Sequence, residues 1–297
     1  MTHDQFAAEL HQARLDRRVV APITERRPGF GIDDAYAVQA GVIQCRVADG
    51  ETIIGGKLGF TSRAMQEAMG VDDPNYGWLT DAMVIHGGRV PLDQLIHPKV
   101  EPEIAFLLRL RLNPPASAAD VLDATAAVMP CLEVVDSRYV DFRFAAPDNI
   151  ADNSSAAMVA LGDPHPIDGL DLALVGVVLS VDGRPRFTAA GAAALDHPAA
   201  AVAWMVNHCD RPLPAGHIVL SGGLTPPVDL GAGTVVTAEF DRLGSITLSG
   251  GADRRSRGPS GPVAEGDRER ETHALLSAAP PPTWSNRDLS AHVSNGN

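Results

Sequence analysis

The chain has 297 residues, 45% of them hydrophobic, enough to bury one large core or two modest ones. Its formal net charge of -13 repels phosphate backbones and anionic lipid, which excludes nucleic acid and membrane surfaces as expected partners. For the same reason an anionic substrate would need a local cation or metal.

Cys45, Cys131 and Cys209 are widely spaced and form no CxxC pair, the usage of a reducing compartment. The polar, amphipathic start lacks the apolar stretch of a secretory signal. No apolar run reaches the roughly 20 residues of a membrane span. The expected location is the cytoplasm.

In chain order, Thr2 and Gln5 have capping-box spacing and predict an opening helix. A second helix is expected from Asp33 to Ala48, with Tyr36, Ala40, Ile43 and Val47 on one face. Thr52 to Phe60 reads as a strand, Ser62 to Met69 as a short helix stopped by Gly70, and Val100 to Leu108 as a strand. Asp120 to Val128 reads as a helix running into a strand from Met129 to Val135. Leu172 to Val181 is an expected strand ending in the turn Asp182-Gly183, and Asp196 to Cys209 a helix capped by Asp196. His217 to Ser221, Thr234 to Phe240 and Ser245 to Leu248 close the pattern as strands. Strands outnumber helices after Thr52 without regular alternation, which argues for an α+β fold with a mixed or antiparallel sheet. The expected organisation is a helical N-terminal segment over 1–50, a β-rich catalytic domain over 51–250 and a disordered tail over 251–297, rich in Pro, Ser, Gly and Arg.

Glu101-Pro102-Glu103 is the central chemical signal. In a strand, residues i and i+2 share a face, so two carboxylates point one way and repel unless a cation relieves them. A solvated edge strand is the plainer alternative, which Pro102 permits. Glu133 stands in an apolar, apparently buried run, where a carboxylate must be paired, protonated or bound to metal. Its partner could be Arg138 or Lys57. As a third oxygen ligand it would complete an all-carboxylate site, which suits Mg²⁺ or Mn²⁺ and excludes zinc.

Lys57 lies in a strand entering a Gly-bearing turn, as a proton donor, a carboxylate anchor or simply a surface lysine. Two loops, ADNSS with Ser155 and SGGLTP with Gly223 and Thr225, could present donors to an anion or be ordinary turns. No HExxH, GxSxG, GxGxxG or phosphate-loop motif occurs in a supporting context.

Taken together, GGKLGFTS, YGWLTD, LIHPKVEPEI, CLEVVDSRY, ADNSS, LDHP and SGGLTPPV resemble the fumarylacetoacetate-hydrolase superfamily, over about Gln5 to Leu248. Within it the chain looks like the 2-oxopent-4-enoate hydratase / 4-oxalocrotonate decarboxylase family of meta-cleavage pathways. The resemblance implies a distorted mixed β-roll with flanking helices, and a Mg²⁺ or Mn²⁺ held by Glu101, Glu103 and Glu133. Lys57 and Asp81 would stand beside it, Asp81 orienting Lys57 or relaying a proton. It also implies a dimer or larger homo-oligomer, and association of decarboxylase with hydratase. The segments from Asp136 to Phe144 and from Gly222 to Thr225 resemble the decarboxylase branch. Pro226-Pro227 and the tail depart from the family pattern.

The expected function is therefore decarboxylation of 2-oxo-3-hexenedioate to 2-hydroxypenta-2,4-dienoate. Ser155, Gly223 and Thr225 would line the substrate, and Arg138 would offer it a cation. The alternatives are hydration of the dienoate, hydrolysis of an acylpyruvate-type C–C bond, and a partner protein without activity.

Overall fold

The computed structural model describes residues 1–209 and 211–251, so the expected tail lies almost wholly outside the described residues. Helices α1 (His3–Asp16), α2 (Ile23–Arg26) and α3 (Ile32–Ala48) open the chain. The capping box forms as its spacing predicts: Gln5 N donates to Thr2 Oγ1, and Thr2 N donates to Gln5 Oε1. Next come β1 (Ile53–Gly59), α4 (Arg63–Met69), β2 (Asn75–Thr80), β3 (Arg89–Val90), β4 (Lys99–Leu108), α5 (Ala118–Ala124), β5 (Thr125–Val135), α6 (Ala146–Ala151) and β6 (Ala156–Leu161). The chain continues with β7 (Gly176–Val181), β8 (Arg184–Ala190), α7 (Pro198–His208), β9 (Ile218–Leu220), β10 (Val228–Asp229), β11 (Val235–Phe240) and β12 (Gly244–Gly250).

Two curled sheets result. The larger has the order β2-β1-β9-β4-β5-β6, with β10 also on β4; the smaller has the order β3-β12-β11-β7-β8. Pairing is antiparallel except for β1 with β9 and β12 with β3, so the sheets are mixed, as expected. The main core lies between them. Val100, Ile104, Phe106 and Leu108 on one face of β4 join Val177, Leu179, Val236, Ala238 and Leu248 of the small sheet. The other face of β4 carries Glu101 and Glu103.

The N-terminal helices pack onto this body rather than apart from it. Phe6, Leu10, Ile23, Phe30, Val38 and Val42 cluster with Tyr139, Ile150 and Ala151. Gln39 Nε2 donates to the carbonyls of Tyr76 and Ile150, at 2.8 and 3.0 Å, tying α3 to β2 and α6.

Several expected boundaries move, for identifiable reasons. The helix expected to Val128 stops at Ala124, because Thr125 is already extended and pairs with Leu108 of β4. Leu172–Leu174 is a 3₁₀ turn capped by the Asp171 side chain, so the strand begins only at Gly176. Asp196 does not cap α7: its backbone is left-handed (φ 64°), whereas a capping residue is extended. His197 takes that role, its Nδ1 accepting from Ala199 N at 3.0 Å. Strands β2, β3, β6, β8 and β10 were not expected. The Asp182-Gly183 turn, with φ of 51° and 74°, joins β7 to β8.

Candidate metal centre

The ladder between β4 and β5 places Glu101 directly opposite Glu133, and the pleat puts Glu103 on the same face. One carboxylate oxygen from each lies within 4.8 Å of the other two. Glu103 and Glu133 are fully buried. Further along this face stand Ala105, Leu107, Met129, Cys131, Ile218 and Leu220, so the carboxylates close one end of an apolar surface.

Their hydrogen bonding is incomplete. Glu103 Oε2 accepts from Gly222 N at 2.7 Å, but Glu103 Oε1 and Glu133 Oε1 lack a hydrogen-bond partner. Lys57 Nζ, from β1, lies 3.0 Å from Glu133 Oε2 as an ion pair. One ammonium thus faces three carboxylates. Burial pushes the Glu101 carboxyl up to about 7, with repulsion from Glu133 adding and Lys57 opposing. Burial first, then repulsion from Glu133 and Glu101, also holds the Glu103 carboxyl well above the ordinary carboxylate range, with Lys57 opposing. Glu133 is also raised by burial, against the pull of Lys57. Burial alone would lower Lys57, but Glu133, Glu101 and Glu103 outweigh it and hold the ammonium above its ordinary range. Orphaned, buried, mutually repelling oxygens with no nitrogen or sulfur among them fit a hard divalent cation.

Around Lys57 runs a polar row. Its ammonium donates to Ser154 O at 3.1 Å and to Ser154 Oγ at 3.4 Å. Ser154 Oγ donates to Asn75 Oδ1, Asn75 Nδ2 to Asn149 Oδ1, and Asn149 Nδ2 to Ser155 Oγ, at 2.8, 2.8 and 3.0 Å. Asn153, Ser154 and Ser155 all have left-handed backbones, an uncommon conformation for side-chain-bearing residues. The turn is held by Asn153, whose amide clamps Trp78 N and Trp78 O.

The segment from β9 to β10 lies over the carboxylates. It leaves the ladder of β4 after Leu220, donates Leu224 N to Pro102 O at 3.0 Å, and rejoins β4 at Val228. Gly222 takes φ 95°, open to glycine, to aim its N–H at Glu103. Gly223 presses its backbone on the Glu101 carboxylate, where any Cβ would overlap Oε2.

The expected residues therefore divide. Glu101, Glu103, Glu133, Lys57 and Gly223 come together. Ser155 stays within the polar row, but it is its neighbour Ser154 that touches Lys57. Thr225 lies in the covering segment, its Oγ1 donating to Pro226 O at 3.1 Å. Arg138 stands apart: it is buried and bound by Nε, Nη2 and its backbone N–H to Asp152, so its charge is already matched. Asp81 also stands apart. On β2 it is Gly77, four residues earlier, that faces Lys57, while Asp81 is exposed and accepts from Thr52 N and Ala82 N. Asn75 and Asn149 escaped sequence reasoning, and of the ADNSS donor loop Ser155 was singled out rather than Ser154. Only the tight Pro74-Asn75-Tyr76-Gly77 run hinted at Asn75.

The fumarylacetoacetate (FAA) hydrolase C-terminal family model matches residues 58–249. The chain belongs to that family. A 2-hydroxypent-2,4-dienoate hydratase of Pseudomonas putida is 42% identical over 211 residues, covering 69% of this chain and 94% of that protein. A 4-oxalocrotonate decarboxylase of Pseudomonas sp. (strain CF600) is 36% identical over 256 residues, covering 83% and 97%. The solved 4-oxalocrotonate decarboxylase of Pseudomonas putida G7, complexed with magnesium and adipate, superposes with a TM-score of 0.81 at 34% identity, covering 83% of this chain and 96% of that one. Its relatives are hydratases and decarboxylases, and this chain is an enzyme of the same lyase type. Among the described residues no helix is long and apolar enough to cross a membrane.

Proposed function

We propose that the chain decarboxylates 2-oxo-3-hexenedioate to 2-hydroxypenta-2,4-dienoate, with Glu101, Glu103 and Glu133 holding Mg²⁺ or Mn²⁺. The observation that carries this reading is the company Lys57 keeps. Apart from Glu133, every group its ammonium contacts, and the row behind them, is a hydroxyl, an amide or a carbonyl. Such groups position, but they do not exchange protons at neutral pH.

Decarboxylation asks for little more. Breaking C5–C6 sends its electron pair through C3=C4 onto the C2 oxygen, and one proton on that oxygen completes the product. A cation bound at the three carboxylates supplies Lewis acidity favouring negative charge at that oxygen. Lys57 presents an N–H there, oriented by Ser154 O and Ser154 Oγ. Gly223 and Thr225 form a wall over the 2-oxo acid end, and Ser155 fixes the row that holds Ser154. Neither Asp81 nor Arg138 has a part in this scheme.

Hydration of the dienoate is the second reading, favoured by the 42% identity to a hydratase. It needs a proton at C5 and water activated at C4, away from the C2 oxygen, and the row beside Lys57 offers no second proton carrier. A spectrophotometric assay with Mg²⁺ and an EDTA control separates the two. Loss of the diacid with CO₂ release, while the dienoate persists, is the expected result. Consumption of the dienoate alone would replace this reading with the hydratase. Glu133→Gln should abolish either activity without changing the melting temperature by more than a few degrees.

A further inference from the structure

Of the 24 lysines and arginines in the sequence, two are lysines: Lys57 and Lys99. The chain uses arginine for every other permanent cation, yet both lysines fall on the carboxylate face. Lys99 is two residues before Glu101 on β4 and directly opposite Val135, itself two residues beyond Glu133 on β5. At about 3.3 Å per residue, Lys99 begins some 6.6 Å outward from the Glu101–Glu133 pair, on the same side of the sheet.

Its surroundings leave it available. Lys99 Nζ pairs with Asp229 Oδ1 at 2.6 Å, and that aspartate side chain is 87% exposed. An ion pair of this kind contributes little and yields readily to a competing anion. The ammonium also lies 5.4 Å from the centroid of the Phe142 ring, a face that steadies a cation without neutralising it. The His97 ring lies tilted against the same phenyl, its centroid 5.0 Å away, and its Nε2 is screened from solvent with no hydrogen-bond partner. Elsewhere near the site the cations are committed, Lys57 to Glu133 and Arg138 to Asp152.

We propose that Lys99 is the specificity-determining residue of the site, receiving the distal carboxylate of a six-carbon 2-oxo dicarboxylate whose 2-oxo acid end lies at Glu101, Glu103 and Glu133. The assignment rests on the reading of those carboxylates given above, but not on which bond the enzyme breaks. The strand step plus the lysine stem matches the reach of a six-carbon chain. A substrate carboxylate replaces Asp229 on the ammonium, with Phe142 beneath and His97 Nε2 as a further donor. A compact ammonium on a flexible stem follows a chain end better than the planar guanidinium used elsewhere.

The test is binding, not turnover. Calorimetric titration in Mg²⁺ compares 2-oxoadipate with 2-oxohexanoate, which share six carbons and a 2-oxo acid head but lack the C3=C4 bond needed to lose CO₂. The wild-type chain should bind the diacid about tenfold or more tightly than the monoacid, the range expected for a hydrogen bond to a charged group. Lys99→Met should bring the two to parity while leaving 2-oxohexanoate affinity unchanged, which shows that the head site still folds. Asp229→Asn should widen the preference. Equal binding by the wild type, a preference that survives Lys99→Met, or binding of neither acid overturns the proposal. A chain that shows the Lys99-dependent preference yet decarboxylates nothing keeps Lys99 in place and discards the decarboxylase reading alone.

Discussion

Gly223 is packed so closely on Glu101 that its missing Cβ is part of the site: a methyl group there would occupy the space of Glu101 Oε2. Gly223→Ala should therefore displace one oxygen of the carboxylate cluster without disturbing the core. Supporting residues of this kind typically change metal affinity by about 10- to 100-fold. Titration with Mn²⁺ should show a loss of that order, with the melting temperature of the EDTA-treated protein almost unchanged. Undiminished affinity would mean that Glu101 is not held where this contact places it.

Lys57 is buried and, among the described residues, is the one cation paired to the carboxylate row. Lys57→Met should abolish turnover, and in EDTA it should cost about 3–5 kcal/mol of stability by leaving buried charge uncompensated. Mn²⁺ should restore part of that loss. Chemical denaturation with and without the ion reads both effects.

Arg138 offers the contrasting case. Its guanidinium is bound by buried Asp152, whose carboxyl burial raises to about 6 despite the arginine. Arg138→Met should destabilise the fold by about 3–5 kcal/mol. The ratio of KM for dicarboxylate to KM for monocarboxylate substrates should not move. A selective rise for the diacid would return Arg138 to the substrate.

His217 opens the approach to β9 and is held neutral, burial lowering its pKa to about 4. A base depressed below its unfolded value of 6.5 contributes stability that is complete above pH 6.5 and lost as pH falls toward 4. At about 1.4 kcal/mol per unit the loss is on the order of 3 kcal/mol. Asp152, raised to about 6, acts in the opposite sense over the overlapping range below pH 6. Comparing the wild type with His217→Gln isolates the histidine: the variant should lose less stability between pH 7 and 4.5.

The three clustered carboxylates were legible because their signal is local. Glu101 and Glu103 share a face by strand geometry alone, and Glu133 betrays itself as a carboxylate in an apolar strand. Family resemblance supplied the roll. Long-range placement was not legible. Nothing in the spacing says that Gly77 rather than Asp81 ends up opposite Lys57, because that depends on the register of β1 with β2. Arg138 looked like a free cation until Asp152, fourteen residues later, folded back onto it. Ser154 and Ser155 are identical neighbours in sequence, and only three consecutive left-handed residues decide which reaches Lys57. The strand expected from Leu172 starts only at Gly176, since Asp171 caps a turn that periodicity does not see.

The scarcity of lysine has a practical side. Apart from the chain's own α-amino group, a reagent that seeks primary amines finds its targets only on the face that carries the three glutamates. Lys99 is the accessible one, 29% exposed against 3% for Lys57. Amine coupling to a sensor surface or dye would thus tether the molecule by the rim of its own site. Thiol coupling gives no ready escape, because Cys131 and Cys209 are buried and only Cys45, on α3, is partly open.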